Sequence, residues 1–439
     1  MFSRIRGGSG GRRILCIQIS ILAIALGSFS PLEAADARPF PRLAALQVGG
    51  WGTGYDHADI DTIAKADVAM IGLFRNHNVD GHTANGIVTD IKRQNPDIIL
   101  LQYTIVSTMA NSQEDLVSIL EAQKGPAGQG DWFARDTSGN KTSEWPNQSN
   151  MNITRFVTPD ANGDRVPQWL SKVMNKQLWE LAPFDGVFID VMRPRPQVVA
   201  DWDGDGVNDS KDEAAPWYSR GQRDFFDAHQ AAWPEHVMTA NITRWAYDPI
   251  PDYYRGILHG GLMEGIIGKT SSPHVWGGWG TMMDKYREYM EFFIGPRYGV
   301  FHSIGAADDY QFTRYTLASC LMDDGYYAHT TSELYNETVW FDEYDIDLGV
   351  AIDQPQTSAW QKGVYRRQFS KGIALVNPEG NGDQTVDVGP GYKRFVGAQD
   401  PAHNNGKVVQ TLTLKEGDGI LLLAEDSAQV KRPKPPSLN

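Results

Sequence analysis

Cysteine is nearly absent: Cys16 and Cys320 are the only two in 439 residues. Cys16 falls in an N-terminal stretch that reads as a removable signal. Cys320 is then left alone, which excludes an intramolecular disulfide in the mature chain. It sits in the apolar helical run Tyr315–Met322, so a core position is expected, not a nucleophile. Positive charge is also short. Forty Lys and Arg face 54 Asp and Glu, for a net charge of -14, which speaks against nucleic acid and anionic membranes as partners. The same acidity makes a strongly polyanionic polysaccharide a poor substrate. Beyond Leu26 no apolar run is long enough to span a bilayer, so the mature chain is expected to be soluble. The H-E-x-x-H zinc motif, the G-x-S-x-G nucleophile elbow and the P-loop are all missing.

What is present begins with a targeting pattern. Arg4, Arg6, Arg12 and Arg13 precede the apolar stretch Ile14–Leu26, and Ala34, Ala35 and Ala37 offer small-residue cleavage sites. Residues 1–35 therefore read as a signal peptide, with an uncleaved anchor as the alternative, and the protein as secreted or periplasmic. From Leu43 onward, short apolar runs alternate with amphipathic segments, the pattern of repeated βα units. Strands are expected at Leu43–Gly49, Val68–Phe74, Ile98–Tyr103, Gly186–Val191, His236–Ala240, Gly261–Ile266, Val300–Ile304 and Gly325–Ala328. Seven helices are expected between them: His57–Ala66, Asn85–Gln94, Gln113–Gln123, Val166–Leu181, Trp217–Ala232, Thr281–Ile294 and Asp309–Met322. Eight strands so interleaved predict a (β/α)8 TIM barrel over residues 40–340. After Leu334 helical periodicity gives way to short alternating strands, predicting a C-terminal antiparallel β-sandwich domain over 345–425. Residues 426–439 form a Pro-rich, basic, flexible tail.

The leading catalytic candidate is Asp190, at the end of Pro183-Phe-Asp-Gly-Val-Phe-Ile-Asp. A buried strand delivers a carboxylate to its C-terminal end, where a barrel opens into its active site. Cleaving a glycosidic bond takes a second carboxylate across the cleft. Glu264, in Gly260-Gly-Leu-Met-Glu-Gly at the end of the sixth strand, is the best candidate, with Asp308, Asp309, Asp342 and Glu343 as rivals. The pair must differ: Asp190 ionised, held by hydrogen bonds or by Arg193, and Glu264 with a raised pKa to protonate the leaving oxygen. Trp51, Arg75, Tyr103, Asn241, Trp276 and Trp279 follow other strands, and with Arg193 and Asp342 they are candidates for substrate binding. The 13 tryptophans suit a sugar cleft, although most are expected to fill core.

The segment Asp201-Trp-Asp-Gly-Asp-Gly-Val-Asn-Asp-Ser-Lys-Asp212 matches a D-x-D-x-D-G calcium loop. Asp201, Asp203, Asp205, Asp209 and Asp212 would supply carboxylates, Val207 its backbone carbonyl, and Gly206 the sharp turn. A structural Ca2+ stiffening the cleft rim is expected.

The runs Phe184-Asp-Gly-Val-Phe-Ile-Asp190, Gly261-Leu-Met-Glu-Gly265, Arg314-Tyr-Thr-Leu-Ala-Ser-Cys-Leu-Met-Asp-Asp-Gly-Tyr-Tyr327 and Trp340-Phe-Asp-Glu-Tyr-Asp345 resemble bacterial glycoside hydrolase barrels, the fifteenth of the hypothetical glycosyl hydrolase families. The runs Gly372–Pro378 and Gly397–Pro401 look like the family's C-terminal domain, and the likeness covers residues 43–424. It implies a barrel distantly like those of α-galactosidases and α-amylases, with a nucleophile matching Asp190. In the α-galactosidase-like branch the acid matches Glu264. In the α-amylase-like branch it would fall where this chain has Asn241. The expected function is thus a retaining glycosidase acting on a poly- or oligosaccharide. A carbohydrate-binding barrel without catalysis and a metal-dependent barrel esterase are the alternatives.

Overall fold

The computed structural model describes residues 38–48, 55–73, 78–79, 82–126, 131–241, 252–268 and 277–428. The expected signal peptide and the end of the tail lie outside them. The eight predicted strands form one parallel sheet in sequence order: β1 Ala44–Gln47, β2 Val68–Ile71, β3 Ile99–Ile105, β4 Gly186–Asp190, β5 Val237–Asn241, β6 Gly260–Ile267, β7 Tyr298–Ile304 and β8 Tyr326–Thr330. A parallel bridge between Leu43 and Tyr327 joins the first strand to the last and rounds the sheet into a barrel. No described helix is long and apolar enough to cross a membrane.

The helices are α1 His57–Ile63, α2 Ala84–Gln94, α3 Glu114–Glu121, α4 Val166–Met174, α5 Lys211–Ala232, α6 Trp279–Phe292 and α7 Tyr310–Cys320. α5 begins earlier than expected because Ser210 and Glu213 form a capping box, each side chain bonding the other's backbone N–H. That box outweighs Pro216 as a breaker.

Alternation along the strands sorts side chains into two cores. Ala44, Leu46, Val68, Met70, Leu101, Phe188, Leu262, Val300 and Tyr326 fill the barrel's interior. Ala45, Ala69, Ile71, Leu100, Val187, Ile189, Ala240, Met263 and Phe301 face the helices. Because the period is two, Tyr103, Asp190, Asn241 and Glu264 share the inward parity of Leu101, Phe188, Thr239 and Leu262. The fold therefore aims these four polar side chains into the barrel before any specific contact is made.

The C-terminal segment is a five-stranded antiparallel sheet: β9 Tyr365–Phe369, β10 Gly372–Asn377, β11 Gln384–Arg394, β12 Val408–Leu414 and β13 Asp418–Ala424, in the order β9-β10-β13-β11-β12. The expected sandwich is thus one sheet by hydrogen bonding. One face encloses its own core of Ile373, Leu375, Val386, Leu412 and Leu422, while Ala374, Val376, Leu421 and Leu423 belong to the barrel's outer core. Arg314 of α7 pins the junction, with Nε 3.0 Å from Asp418 Oδ1 and Nη1 2.5 Å from Asp400 Oδ2. Both Arg314 and Asp418 are buried. Removing one member of such a set leaves an uncompensated charge inside the protein.

Candidate active site

Asp190 ends β4, and the chain turns immediately. Val191 takes φ 58, a left-handed conformation that a β-branched residue adopts only under constraint. That turn lets the Val191 N–H donate back to Asp190 Oδ1 at 2.8 Å. Asn241 Nδ2 donates to the same oxygen at 2.9 Å, and the Tyr103 hydroxyl to Oδ2 at 2.7 Å. Three donors converge on one carboxylate, an arrangement suited to an anion. Burial, followed by the charge of Asp190, raises the Tyr103 pKa, so that phenol stays a donor.

Glu264 owes its position to a bulge. Met263 pairs with Phe301 and Ile267 with Ser303, so three residues of β6 stand opposite one of β7. Bulges of this kind re-aim side chains next to active sites. Gly265 takes φ 57 there, which suits glycine, and its N–H donates to Nδ1 of buried His302 at 3.0 Å. With Nδ1 accepting, the proton of His302 sits on Nε2, 3.0 Å from Thr330 Oγ1. Burial lowers this histidine's pKa to about 3, so it stays neutral.

Asn241 Nδ2 lies 2.8 Å from Glu264 Oε2 as well as 2.9 Å from Asp190 Oδ1. One amide nitrogen bridges the two acids. Their facing oxygens are therefore no farther apart than the sum of those contacts. The Tyr335 hydroxyl donates to the other oxygen of Glu264. Burial raises the pKa of Glu264 and Asp190's charge adds to it, against the lowering by hydrogen bonds from Tyr335 and Asn241. Raising wins because burial is the largest effect. The two carboxyl groups are thus environmentally distinct.

The model of hypothetical glycosyl hydrolase family 15 matches residues 92–373. The chain belongs to that family. No curated protein matches it. Among solved structures it is similar to the noncanonic maltogenic α-amylase AmyB of Thermotoga neapolitana, at 9% identity over 87% of this chain and 98% of that one, TM-score 0.49. It is also similar to the GH36 α-galactosidase AgaA of Geobacillus stearothermophilus, at 12% identity over 88% and 56%, TM-score 0.44. A third is the glycoside hydrolase domain of PelA from Pseudomonas aeruginosa, at 12% identity over 68% and 97%, TM-score 0.40.

Within this member of hypothetical glycosyl hydrolase family 15, the structure brings together four of the residues expected from sequence: Tyr103, Asp190, Asn241 and Glu264. Trp51, Arg75 and Trp276 lie outside the described residues. Three expectations are corrected. Arg193 does not hold Asp190: its Nη1 pairs with Glu144 Oε1, so among the described residues it is hydrogen bonds that engage the Asp190 carboxylate. Trp279 is a packing residue, buried at the start of α6 with Nε1 2.9 Å from Ser319 Oγ and its ring against Tyr365. Asp342 faces the C-terminal segment, where Oδ2 accepts the N–H groups of Ala398 and Gln399. Of the rivals, Asp309 caps α7 and Glu343 is bonded by Asn404.

Sequence reasoning missed Tyr335, which lies beyond β8 with no strand to signal it, and Glu144, in the long excursion between β3 and α4. In the acidic loop, Asp201, Asp203 and Asp209 bring carboxylate oxygens within 4.8 Å of one another. Asp205 Oδ1 instead accepts the Val207 N–H at 2.8 Å, and Asp212 pairs with Arg195.

Proposed function

We propose that the enzyme is a retaining glycosidase of poly- or oligosaccharides, with Asp190 as nucleophile and Glu264 as general acid and base. The bridge of Asn241 between the two carboxylates carries this reading, because it keeps their facing oxygens close, in the manner of retaining pairs, and leaves little room for a water between Asp190 and the sugar. In the first step an Asp190 oxygen bonds the anomeric carbon while the bond to the leaving oxygen breaks and takes the proton of Glu264. In the second, water attacks the same carbon, Glu264 takes its proton, and the bond to Asp190 breaks. Tyr335 and Asn241 hold Glu264 against the sugar, and Tyr103 and the Val191 N–H hold Asp190. Proton NMR of the first product from a cleaved oligosaccharide should show the anomer of the substrate, before mutarotation. The opposite anomer would refute Asp190 as the nucleophile.

We further propose that the Asp201–Asp212 loop holds a structural Ca2+. Hard oxygen donors spaced D-x-D-x-D-G, with three carboxylates gathered and Gly206 at φ 87, fit a calcium ion. Asp201, Asp203 and Asp209 would hold it. The ion would tie down the loop that leads from Asp190 into α5. Saturation at a hundred times Kd is worth about 2.7 kcal/mol, so EGTA should lower the Tm by several degrees and added Ca2+ restore it. An identical melting curve with and without chelator, and no calcium by mass spectrometry, removes the ion.

A further inference from the structure

Glu144 is an acid that the proposed chemistry does not use. Its side chain is only 6% exposed. One oxygen pairs with Arg193, and the other, Oε2, is buried with no hydrogen-bond partner. A buried carboxylate oxygen without a donor costs free energy that a ligand's O–H or N–H would recover. Its place matters too. Arg193 lies three residues beyond Asp190, at the exit of β4, and its guanidinium carbon stands 5.9 Å from the ring of Trp145. Trp145 is 39% exposed and the only exposed tryptophan among the described residues. Trp132, Trp169, Trp179, Trp202 and Trp279 are buried. A partly exposed indole that follows an unsatisfied acceptor in the chain offers the two elements with which a site grips a ring with an apolar face and polar edges.

We propose that Glu144, Arg193 and Trp145 form a sugar-binding subsite beside the Asp190–Glu264 pair, taking a pyranose that offers hydroxyl or amino donors and carries no carboxylate. Trp145 stacks on the C–H face of the ring, Glu144 Oε2 accepts from a ring substituent, and Arg193 fixes Glu144 and supports the indole. Arg193, which pairs with Glu144 and follows Asp190 by three residues at the end of β4, sets the subsite beside the catalytic pair; burial raises the Glu144 pKa, with Arg193 opposing. A uronate carboxylate would meet the charge of Asp190 and the acceptor oxygen of Glu144, and is excluded for that reason.

The subsite rests on the glycosidase reading, and one experiment separates the two. Asp190→Asn, made to stop turnover, is titrated by calorimetry with neutral (maltotetraose, β-1,4-galactotetraose), amino (chitosan tetramer) and uronic (oligogalacturonate) probes. Binding of a neutral or amino probe is expected, with the better of the two identifying hydroxyl or amine as the donor. Adding Glu144→Gln or Trp145→Ala should then weaken that probe about tenfold or more, with the melting temperature held. Equal affinity in all three proteins, or preference for the uronic probe, overturns the subsite and leaves the glycosidase reading standing. No binding of any probe, together with no reducing sugar released by the wild type from any of them, overturns both.

Discussion

Asp190→Asn is expected to lower kcat by at least about 10^4-fold, the scale on which loss of a covalent nucleophile falls, while the fold and sugar binding survive. The local hydrogen bonds explain why the fold should tolerate it. Asn241 Nδ2 and the Val191 N–H both donate to Oδ1, so the oxygen of the introduced amide would take that place. Its NH2 would then face the Tyr103 hydroxyl, now a donor to Oδ2. A hydroxyl rotates and accepts as readily as it donates. No donor need face another donor, and the melting temperature should stay close to that of the wild type. Measuring kcat on a cleaved oligosaccharide, beside thermal melting and calorimetric binding, separates the outcomes. Wild-type turnover in the variant would remove Asp190 from the chemistry. Binding by both proteins with turnover by neither would make the barrel a carbohydrate binder.

How much of this was legible in the sequence follows from what sequence encodes locally. All eight barrel strands were readable because each is a short apolar run between amphipathic segments. Period-two alternation then fixed the inward aim of Asp190 and Asn241 at strand ends. Glu264 was readable as a carboxylate among glycines, although not as the product of a bulge, since register depends on the neighbouring strand. Partner choice was not readable. Arg193 looked like the cation for Asp190 because it is close in the chain, yet it bonds Glu144, delivered from 49 positions away. Trp279 follows the sixth strand at a distance compatible with the cleft, but it opens α6 on the outside of the barrel, where helix packing claims it. Asp342 was lost to the cleft for a similar reason: loop N–H groups of the C-terminal segment, remote in sequence, needed an acceptor. Tyr335 has φ 48, and nothing in Leu334-Tyr-Asn announces that turn or its hydroxyl's reach to Glu264.

Glu264→Gln should split the two halves of catalysis by leaving group. The glutamine keeps the shape, with its oxygen accepting from Asn241 and its NH2 facing the Tyr335 hydroxyl, which can rotate to accept, but an amide has no acidic proton to give a departing alkoxide. On an oligosaccharide, whose leaving oxygen needs protonation, kcat/KM should fall by about 10^2–10^4-fold. On an aryl glycoside, whose phenolate leaves unaided, formation of the glycosyl enzyme should fall far less, and the later attack of water should become limiting. The pH profile carries the sharper test. In the wild type Glu264 must be protonated to act as acid, and burial with the nearby Asp190 charge raises its pKa. Activity on an oligosaccharide should therefore persist above the pH at which an ordinary glutamic acid ionises, and decline as pH passes through the raised value. The sign for stability is the same: the folded state favours the protonated form, so Glu264 contributes most at low pH and costs stability once ionised. In Glu264→Gln the alkaline limb should disappear and stability at neutral pH should hold or rise. An alkaline limb that survives the substitution would assign the acid to another group, and Glu144, the other buried carboxyl coupled to Asp190, would be the next to replace.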